Sequence, residues 1–192
     1  MDKLFECATT YKQLLSTQYN MIVGRKGKTI NISIKFNDTE FVHLLGLHKL
    51  EDNEFIRSAA RTKVFSAVLN KKITFNEVKK SKYFSLINNR FEPFSNIENL
   101  FDSNELIFRY NEKQNAFSLI KADFLLATPF KETDIYIFIS KNDESTNYFC
   151  RSFFPKETKD YTFGQTKYAL LYKEKVNLTT GEIEVQYDRL KK

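Results

Sequence analysis

Apolar residues recur every three to four positions at the start of the chain. This spacing predicts an amphipathic helix over residues 2–19, with Asp2 as its N-cap. From Ile30 to Phe36 apolar and polar residues alternate strictly, which is typical of a half-buried strand and indicates a strand over residues 28–36. Together with the short apolar run before it, this strand predicts a β-hairpin over residues 21–36.

Helical spacing returns in the next part of the chain, in short segments separated by polar joints. A short helix is expected over residues 41–50, and further helices over residues 55–69, 74–80, 81–89 and 95–101. Thr74 with Glu77, and Ser95 with Glu98, have the spacing of a capping box, in which two side chains cap one helix start. Residues 1–102 are therefore expected to be mainly helical, apart from the hairpin.

From residue 106 onwards the apolar period changes to two. Short strands are predicted over residues 106–110, 116–120, 123–128, 135–140, 147–154, 167–175 and 182–187. Consecutive short strands joined by polar turns favour an antiparallel meander. The expected fold class is α+β, with an N-terminal helical layer and its small β-hairpin packed on a C-terminal antiparallel sheet. Because no linker separates residues 1–102 from 103–192, we expect a single domain over 1–192.

The composition of the 192 residues supports a folded protein with a sizeable core. The chain has 19 Phe and 10 Tyr but only 5 Gly and 3 Pro, which excludes a linker-rich or disordered protein. It has no apolar run long enough to span a membrane, and the first residues do not resemble a secretory signal. Cys7 and Cys150 lack disulfide or zinc spacing, so we expect a cytoplasmic location.

The net charge of +6 is concentrated in the first half of the chain. Residues 1–100 contain 16 Lys or Arg against 10 Asp or Glu, whereas the remaining residues contain 14 of each. The excess is sharpest between Phe55 and Phe91, where Glu77 is the only acid. Such an excess favours an anionic partner, most commonly nucleic acid, and the candidate contacts are Arg57, Arg61, Lys71 and Lys72. The alternative is an ordinary solvated, lysine-rich surface.

Both histidines of the chain lie in the segment from residue 41 to residue 50, next to Lys49. His43 and His48 can exchange protons near neutral pH, and Lys49 can neutralise charge that develops on a phosphate. On a continuous helix their five-residue separation would place them about 140° apart, although Gly46 can break the helix. In the alternative interpretation one histidine is a core residue and the other lies on the surface. This spacing does not match a zinc pair and a third ligand is missing, so no metal site is expected.

Two further residues are candidates for contacts with a phosphate. Arg90 follows a predicted helix at the end of the basic region, and its guanidinium can bind phosphate through two hydrogen bonds. Ser152 lies within an aromatic strand, where its hydroxyl can bind a phosphate or a ribose. The alternatives are an exposed arginine at a helix end and a serine on the solvent face. No Walker loop, dinucleotide motif or serine-hydrolase elbow is found, so no cofactor is expected.

The segment Phe41-x-His43-Leu44-Leu45-Gly46-Leu47-His48-Lys49-Leu50 resembles the signature of a family carried by phages and mobile elements. Four later segments occur in a similar order: Lys80-Ser81-x-Tyr83-Phe84, Asn89-Arg90, Ala122–Leu126 and Ser152-Phe153-Phe154. The family that these segments resemble is the fourth phage-borne subtype of the barnase–EndoU–colicin–RelE-like nucleases. The resemblance covers roughly Leu4 to Lys175. It implies a metal-independent ribonuclease with helices before an antiparallel sheet, and candidate catalytic residues His43, His48, Lys49, Arg90 and Ser152.

We therefore expect a toxin-like endoribonuclease that needs no metal or cofactor. In such an enzyme a base takes the proton of a ribose 2′-OH, the oxygen attacks phosphorus, and an acid protonates the leaving 5′-oxygen. RNA is the expected partner, with a cognate inhibitor or antitoxin protein as a second candidate and no membrane. Two other functions stay open: a catalytically silent nucleic-acid-binding domain, and a phage accessory or protein-interaction domain.

Overall fold

The computed structural model describes residues 2–103, 106–115, 118–142 and 146–191. Within these ranges the helices are α1 (Lys3–Leu14), α2 (Phe41–Leu44), α3 (Glu54–Ser58), α4 (Arg61–Leu69), α5 (Phe75–Lys79), α6 (Phe91–Phe94) and α7 (Ile97–Asp102). The strands are β1 (Thr17–Arg25), β2 (Lys28–Lys35), β3 (Leu106–Arg109), β4 (Phe124–Phe130), β5 (Thr133–Lys141), β6 (Tyr148–Pro155), β7 (Thr166–Asn177) and β8 (Ile183–Asp188). The α+β class is confirmed.

The arrangement of the strands differs from the predicted C-terminal layer. Their order is β1-β2-β6-β5-β4-β3-β7-β8, and β1 also pairs with β7, so seven strands form a closed ring with β8 beside β7. β1 pairs antiparallel with β7 from Thr17↔Asn177 to Gly24↔Ala169, and β2 pairs parallel with β6 at Ile34↔Tyr148. The predicted hairpin is confirmed as β1 and β2, which pair antiparallel, but it belongs to the same sheet as the C-terminal strands, so the prediction of a separate antiparallel layer was wrong in detail. Alternation reveals a strand but not its partner, and closure removes open sheet edges.

The first helix is shorter than predicted. Asp2 caps α1, because its carboxylate accepts hydrogen bonds from the backbone N–H groups of Leu4 and Phe5. The helix ends at Leu14, and Tyr19, which fits the helical spacing, is a buried residue of β1 instead. The spacing continues by coincidence into a strand whose alternating side chains are also buried.

The predicted helices of the next region are confirmed only in part. α5 has the expected capping box between Thr74 and Glu77. The helix predicted over 55–69 is two helices, because residues 59 and 60 are extended. The stretch 81–89 forms 3₁₀ turns, and Ser95 donates to the Glu92 carbonyl instead of capping α7. Local spacing therefore detects the helical character of this region but not its changes of direction.

The strands predicted in the C-terminal part are confirmed with one exception. Of the strand predicted over 116–120, the described residues 118–120 lie outside any strand, and 116–117 lie outside the described residues. The Ser118 N–H donates to the Asn115 carbonyl, and Ile120 packs against the cluster of Leu125, Tyr136 and Phe138. This segment lies against the outer face of the sheet and becomes part of the candidate site.

The main hydrophobic core joins the helices to the sheet. It contains Leu4 and Tyr11 of α1 together with Ile107, Phe124 and Ile137 of the strands, all fully buried. A second cluster on the other face of β4 and β5 contains Leu125, Tyr136 and Phe138, with Ile120 and Tyr161 packed against it. The shared core is compatible with one domain over residues 1–192, which stays a prediction. Both cysteines are buried and unpaired, and no described helix is long and apolar enough to cross a membrane.

Candidate active site

Gly46 brings the two histidines together. α2 ends at Leu44, Gly46 adopts the left-handed conformation with φ of 85°, and the chain continues as a 3₁₀ turn over Leu47–Lys49. As a result the rings of His43 and His48 stack, with centroids 4.5 Å apart and planes 19° from parallel. A continuous helix would have placed the two rings on different faces.

A β-bulge in β6 supplies the opposite wall. Phe138 of β5 pairs with Ser152, whereas the next residue, Ile139, pairs with Cys150, so Arg151 is the extra residue of β6. The burial pattern of β6 changes phase at this point, because Cys150 and Phe153 are both buried although they are three positions apart. The bulge allows the adjacent residues Arg151 and Ser152 to face the same cavity.

All five candidate catalytic residues line one cavity of about 780 Å³, which we call the His cavity. His43, His48 and Lys49 come from α2 and the turn after it, Arg90 from the 3₁₀ turn before α6, and Ser152 from β6. Nine further residues complete the lining: Ser85, Leu86, Asn89, Leu119, Ile120, Arg151, Phe154, Glu157 and Tyr161. Residues from distant parts of the chain therefore meet at one place.

Arg90 is the structural link between the two sides of the His cavity. It is only 9% exposed, and its Nη1 donates to the backbone carbonyls of Leu44, at 3.1 Å, and Phe153, at 3.0 Å. Its Nε and Nη2 have no hydrogen-bond partner among the described residues. Arg90 is thus not the exposed helix-end arginine of the alternative interpretation. It joins α2 to β6 and keeps donors for a ligand.

The surroundings of both histidines favour neutral rings. Burial lowers the pKa of His43 to about 4, and the neighbouring His48, Arg61, Arg151 and Arg90 add to the decrease. Burial also lowers the pKa of His48, while a hydrogen bond between its ring and the Val42 backbone opposes the change. At neutral pH, His43 is therefore uncharged and able to accept a proton.

Two cations of the His cavity, Lys49 and Arg90, are partly desolvated. Burial lowers the pKa of Arg90 to about 10, with the attraction of Glu157 opposing the shift. The pKa of Lys49 is lowered first by burial and then by the nearby Arg90. Glu157 accepts a hydrogen bond of 2.9 Å from Asn89 Nδ2. The cavity therefore concentrates positive charge around two neutral imidazoles, which suits an anionic ligand.

One side of the His cavity is apolar. Ile120, Phe154 and Tyr161 line it and pack against the same hydrophobic cluster of β4 and β5, with the Phe154 and Tyr161 ring centroids 5.5 Å apart. Leu119, which is 96% exposed, and Leu86, which is 52% exposed, also line the cavity. A nucleobase needs an apolar or aromatic surface of this kind next to the polar groups that bind its phosphate.

The four predicted nucleic-acid contacts do not lie together at this site. Arg61, exposed at the start of α4, lines a smaller cavity of about 190 Å³ together with His43 and Arg151. Arg57, Lys71 and Lys72 are also exposed but do not line the His cavity. The Lys71 ammonium lies over the Phe5 ring, 4.7 Å from its centroid.

Sequence reasoning missed Arg151, Glu157 and Tyr161 as lining residues. Arg151 is adjacent to the candidate Ser152, but strict alternation would direct it to the opposite face, and the bulge is invisible in the sequence. Glu157 and Tyr161 follow β6 in a polar connection with no recognisable motif. Among the described residues, no three His, Cys, Asp or Glu side chains are placed to hold a metal ion.

Comparison with known proteins places the chain in a family. No curated protein and no solved structure gives a significant match to the chain. One family model does match, described as phage-Barnase-EndoU-ColicinE5/D-RelE like nuclease4, and it covers residues 3–190. The resemblance inferred from the His43–Lys49 segment is therefore confirmed. Since the match includes nearly every residue, the chain belongs to the phage-Barnase-EndoU-ColicinE5/D-RelE like nuclease4 family.

Proposed function

We propose that this nuclease-family member is a metal-independent endoribonuclease whose active site is the His cavity. The observation that carries the proposal is the meeting of His43, His48, Lys49, Arg90 and Ser152 in one concavity. Proton-transfer groups and phosphate-binding cations in one cavity match the requirements of RNA cleavage.

The stacked histidines supply the two proton transfers. A neutral His43, with its pKa near 4, takes the proton of the ribose 2′-OH. Two imidazolium rings 4.5 Å apart would repel each other, so the pair holds one proton more readily than two. The negative charge of a bound phosphodiester favours protonation of His48, which then donates to the leaving 5′-oxygen. The roles of acid and base are thus divided by the difference between their surroundings.

Lys49, Arg90 and Arg151 neutralise the charge that builds up on the non-bridging phosphate oxygens. Arg90 is held in place by the Leu44 and Phe153 carbonyls, so its remaining donors are oriented before the substrate arrives. Ser152 adds a hydroxyl donor from the bulged strand. Because the nucleophile is the substrate's own 2′-OH, no water has to be activated by a metal ion.

Cleavage of RNA by the purified protein in EDTA tests this proposal. The expected products carry 2′,3′-cyclic phosphate ends, because the 2′-oxygen displaces the 5′-oxygen. An RNA with a single 2′-deoxy nucleotide at the cleaved position should bind but remain intact. RNA binding without cleavage across a broad RNA set would contradict the proposal and favour a catalytically silent binding domain. A cognate inhibitor or antitoxin protein stays a prediction.

A further inference from the structure

The His cavity continues into two neighbouring concavities along the surface. His43 and Arg151 line both the His cavity and the adjoining cavity of about 190 Å³. Glu40, Arg61, Phe149 and Arg151 line both this smaller cavity and a third of about 700 Å³. The lining of the third also includes Lys121, Ser140, Lys141 and Asn142, and we call this third cavity the lysine groove. A continuous surface therefore leads from the histidines to the lysine groove.

The backbone fixes the two lysines of the groove next to each other. The Ser140 hydroxyl donates to the Lys121 carbonyl, at 3.1 Å. The backbone N–H of Lys141 donates to the Asp123 carboxylate, at 2.8 Å, and the Asp123 N–H donates to the Ile139 carbonyl, at 2.9 Å. The backbones of Lys121 and Lys141 thus lie at the same end of β5, and both side chains are exposed.

Positive charge dominates this surface. Arg61, Lys121, Lys141 and Arg151 are all exposed, and none forms an ion pair within the part of the chain that the structure describes. The two acids of the groove are already engaged: Asp123 pairs with Arg109 at 3.2 Å, and Glu40 accepts hydrogen bonds from Tyr11 and Asn37. Burial raises the pKa of Glu40 to about 7, so its negative charge is reduced at neutral pH.

We propose that the lysine groove binds the sugar–phosphate backbone of single-stranded RNA on one side of the scissile bond. The strand passes from the apolar side of the His cavity, across His43, to Lys121 and Lys141. This inference rests on the proposed function, because it takes the His cavity as the place of cleavage. Exposed cations without ion-pair partners are suited to phosphates, whereas the core of a protein interface is depleted of charge.

A single strand fits this path better than a duplex. The His43 ring is partly buried inside a concavity, so the scissile phosphate has to enter it. The exposed Leu119 and the ring of Tyr161 offer a surface for an unstacked base, which only a single-stranded segment presents. The expected substrate is therefore a loop or an unpaired segment of RNA.

In this arrangement the main phosphate contacts lie away from the basic surface that the sequence alone favours. Of the four residues chosen there, only Arg61 lines the lysine groove, while Lys71 and Lys72 do not. All four lysines in question, Lys71, Lys72, Lys121 and Lys141, are exposed, so each pair can be replaced with little effect on the fold. The chain thus offers two matched double variants of identical chemistry.

The test measures binding of a labelled 2′-O-methyl oligoribonucleotide, which lacks the nucleophile and cannot be cleaved. Affinity is determined over a range of salt concentrations for wild type, Lys121→Gln/Lys141→Gln and the control Lys71→Gln/Lys72→Gln. Each lost contact with a single strand reduces the steepness of log K against log salt by about 0.7. The groove variant should therefore lose about 1.4 in slope and roughly 25-fold in affinity at 0.1 M salt. The control should bind like wild type.

Three results would overturn the proposal: an unchanged slope in the groove variant, an equal loss in the control, or no binding by wild type at low salt. Binding that depends on the groove, in a protein that cleaves no RNA, would refute the proposed nuclease reaction and leave the groove intact as a binding site. A dinucleotide substrate, too short to reach the groove, should be cleaved equally by both variants. If the groove variant cleaved this dinucleotide more slowly than the control variant, the result would contradict the assigned path of the strand.

Discussion

Replacing Gly46 by Ala tests whether this glycine builds the site. Gly46 has φ of 85°, a conformation that costs an L-residue about 1–2 kcal/mol. An added Cβ would also lie 2.7 Å from Ile87 Cγ2 and 3.4 Å from the Cδ and Cζ atoms of Arg90, whereas unstrained carbon contacts are about 3.5–4.0 Å. Ile87 is fully buried, so relieving the clash requires movement of the core, at about 1–3 kcal/mol. The expected total loss of unfolding free energy is about 2–5 kcal/mol.

Gly27→Ala is the matched control. Gly27 has a similar φ of 77° in the β1–β2 turn, and nothing lies within 4 Å of its added Cβ. The Gly27→Ala variant should therefore lose only about 1–2 kcal/mol of unfolding free energy, which is the cost of the left-handed backbone conformation. Urea unfolding followed by circular dichroism measures both variants. Equal losses in the two variants would refute the reasoning, because the contacts with Ile87 and Arg90 would then contribute nothing.

Three further outcomes are expected. The pKa of His43 is lowered to about 4, against about 6.5 in the unfolded chain, so the stability that His43 contributes should fall by about 1–2 kcal/mol, after allowance for solvent screening, as pH drops from 7 to 4. Denaturant titrations of wild type and His43→Gln at several pH values measure this contribution as the difference in unfolding free energy between the two proteins. A difference that does not change with pH would contradict the prediction. Arg90→Lys should lose about 1–3 kcal/mol in the same assay, because Arg90 Nη1 makes both bonds to the Leu44 and Phe153 carbonyls and the lysine side chain, one bond shorter, does not bring its nitrogen to that position; unchanged stability would contradict their role. Because helices and strands share one core, calorimetry should show one unfolding transition, and a protease-resistant half would count against a single domain.

Sequence patterns predict those helices and strands whose formation depends on residues close together in the chain. The alternation from residue 30 to residue 36 identifies β2, and the Thr74–Glu77 spacing identifies the start of α5, since both depend on neighbouring residues. The pairing of β1 with β7 brings together residues about 150 positions apart, and nothing in the spacing of either strand encodes that partner. The sequence patterns therefore could not predict the closed ring of strands.

In the candidate site, too, features set by neighbouring residues could be predicted, and features set by tertiary contacts could not. Two histidines beside a lysine in an apolar segment are unusual enough to be selected from the sequence, and Gly46 signals where the helix can break. The bulge at Arg151 and the burial of Arg90 depend on tertiary contacts, so Arg151 was missed and the surroundings of Arg90 could not be foreseen. The charge excess favours an anionic partner but does not indicate which surface would bind it, because charge counts carry no geometry.

The central claim is that His43 transfers a proton during metal-independent RNA cleavage, and one measurement tests it most directly. Cleavage rates in EDTA are compared between wild type and His43→Ala, with the thermal midpoint of each protein measured alongside and with imidazole added to the variant. The claim predicts a loss of roughly two to four powers of ten, a midpoint within a few degrees of wild type, and partial recovery with imidazole. Cleavage by His43→Ala at the full wild-type rate would contradict it.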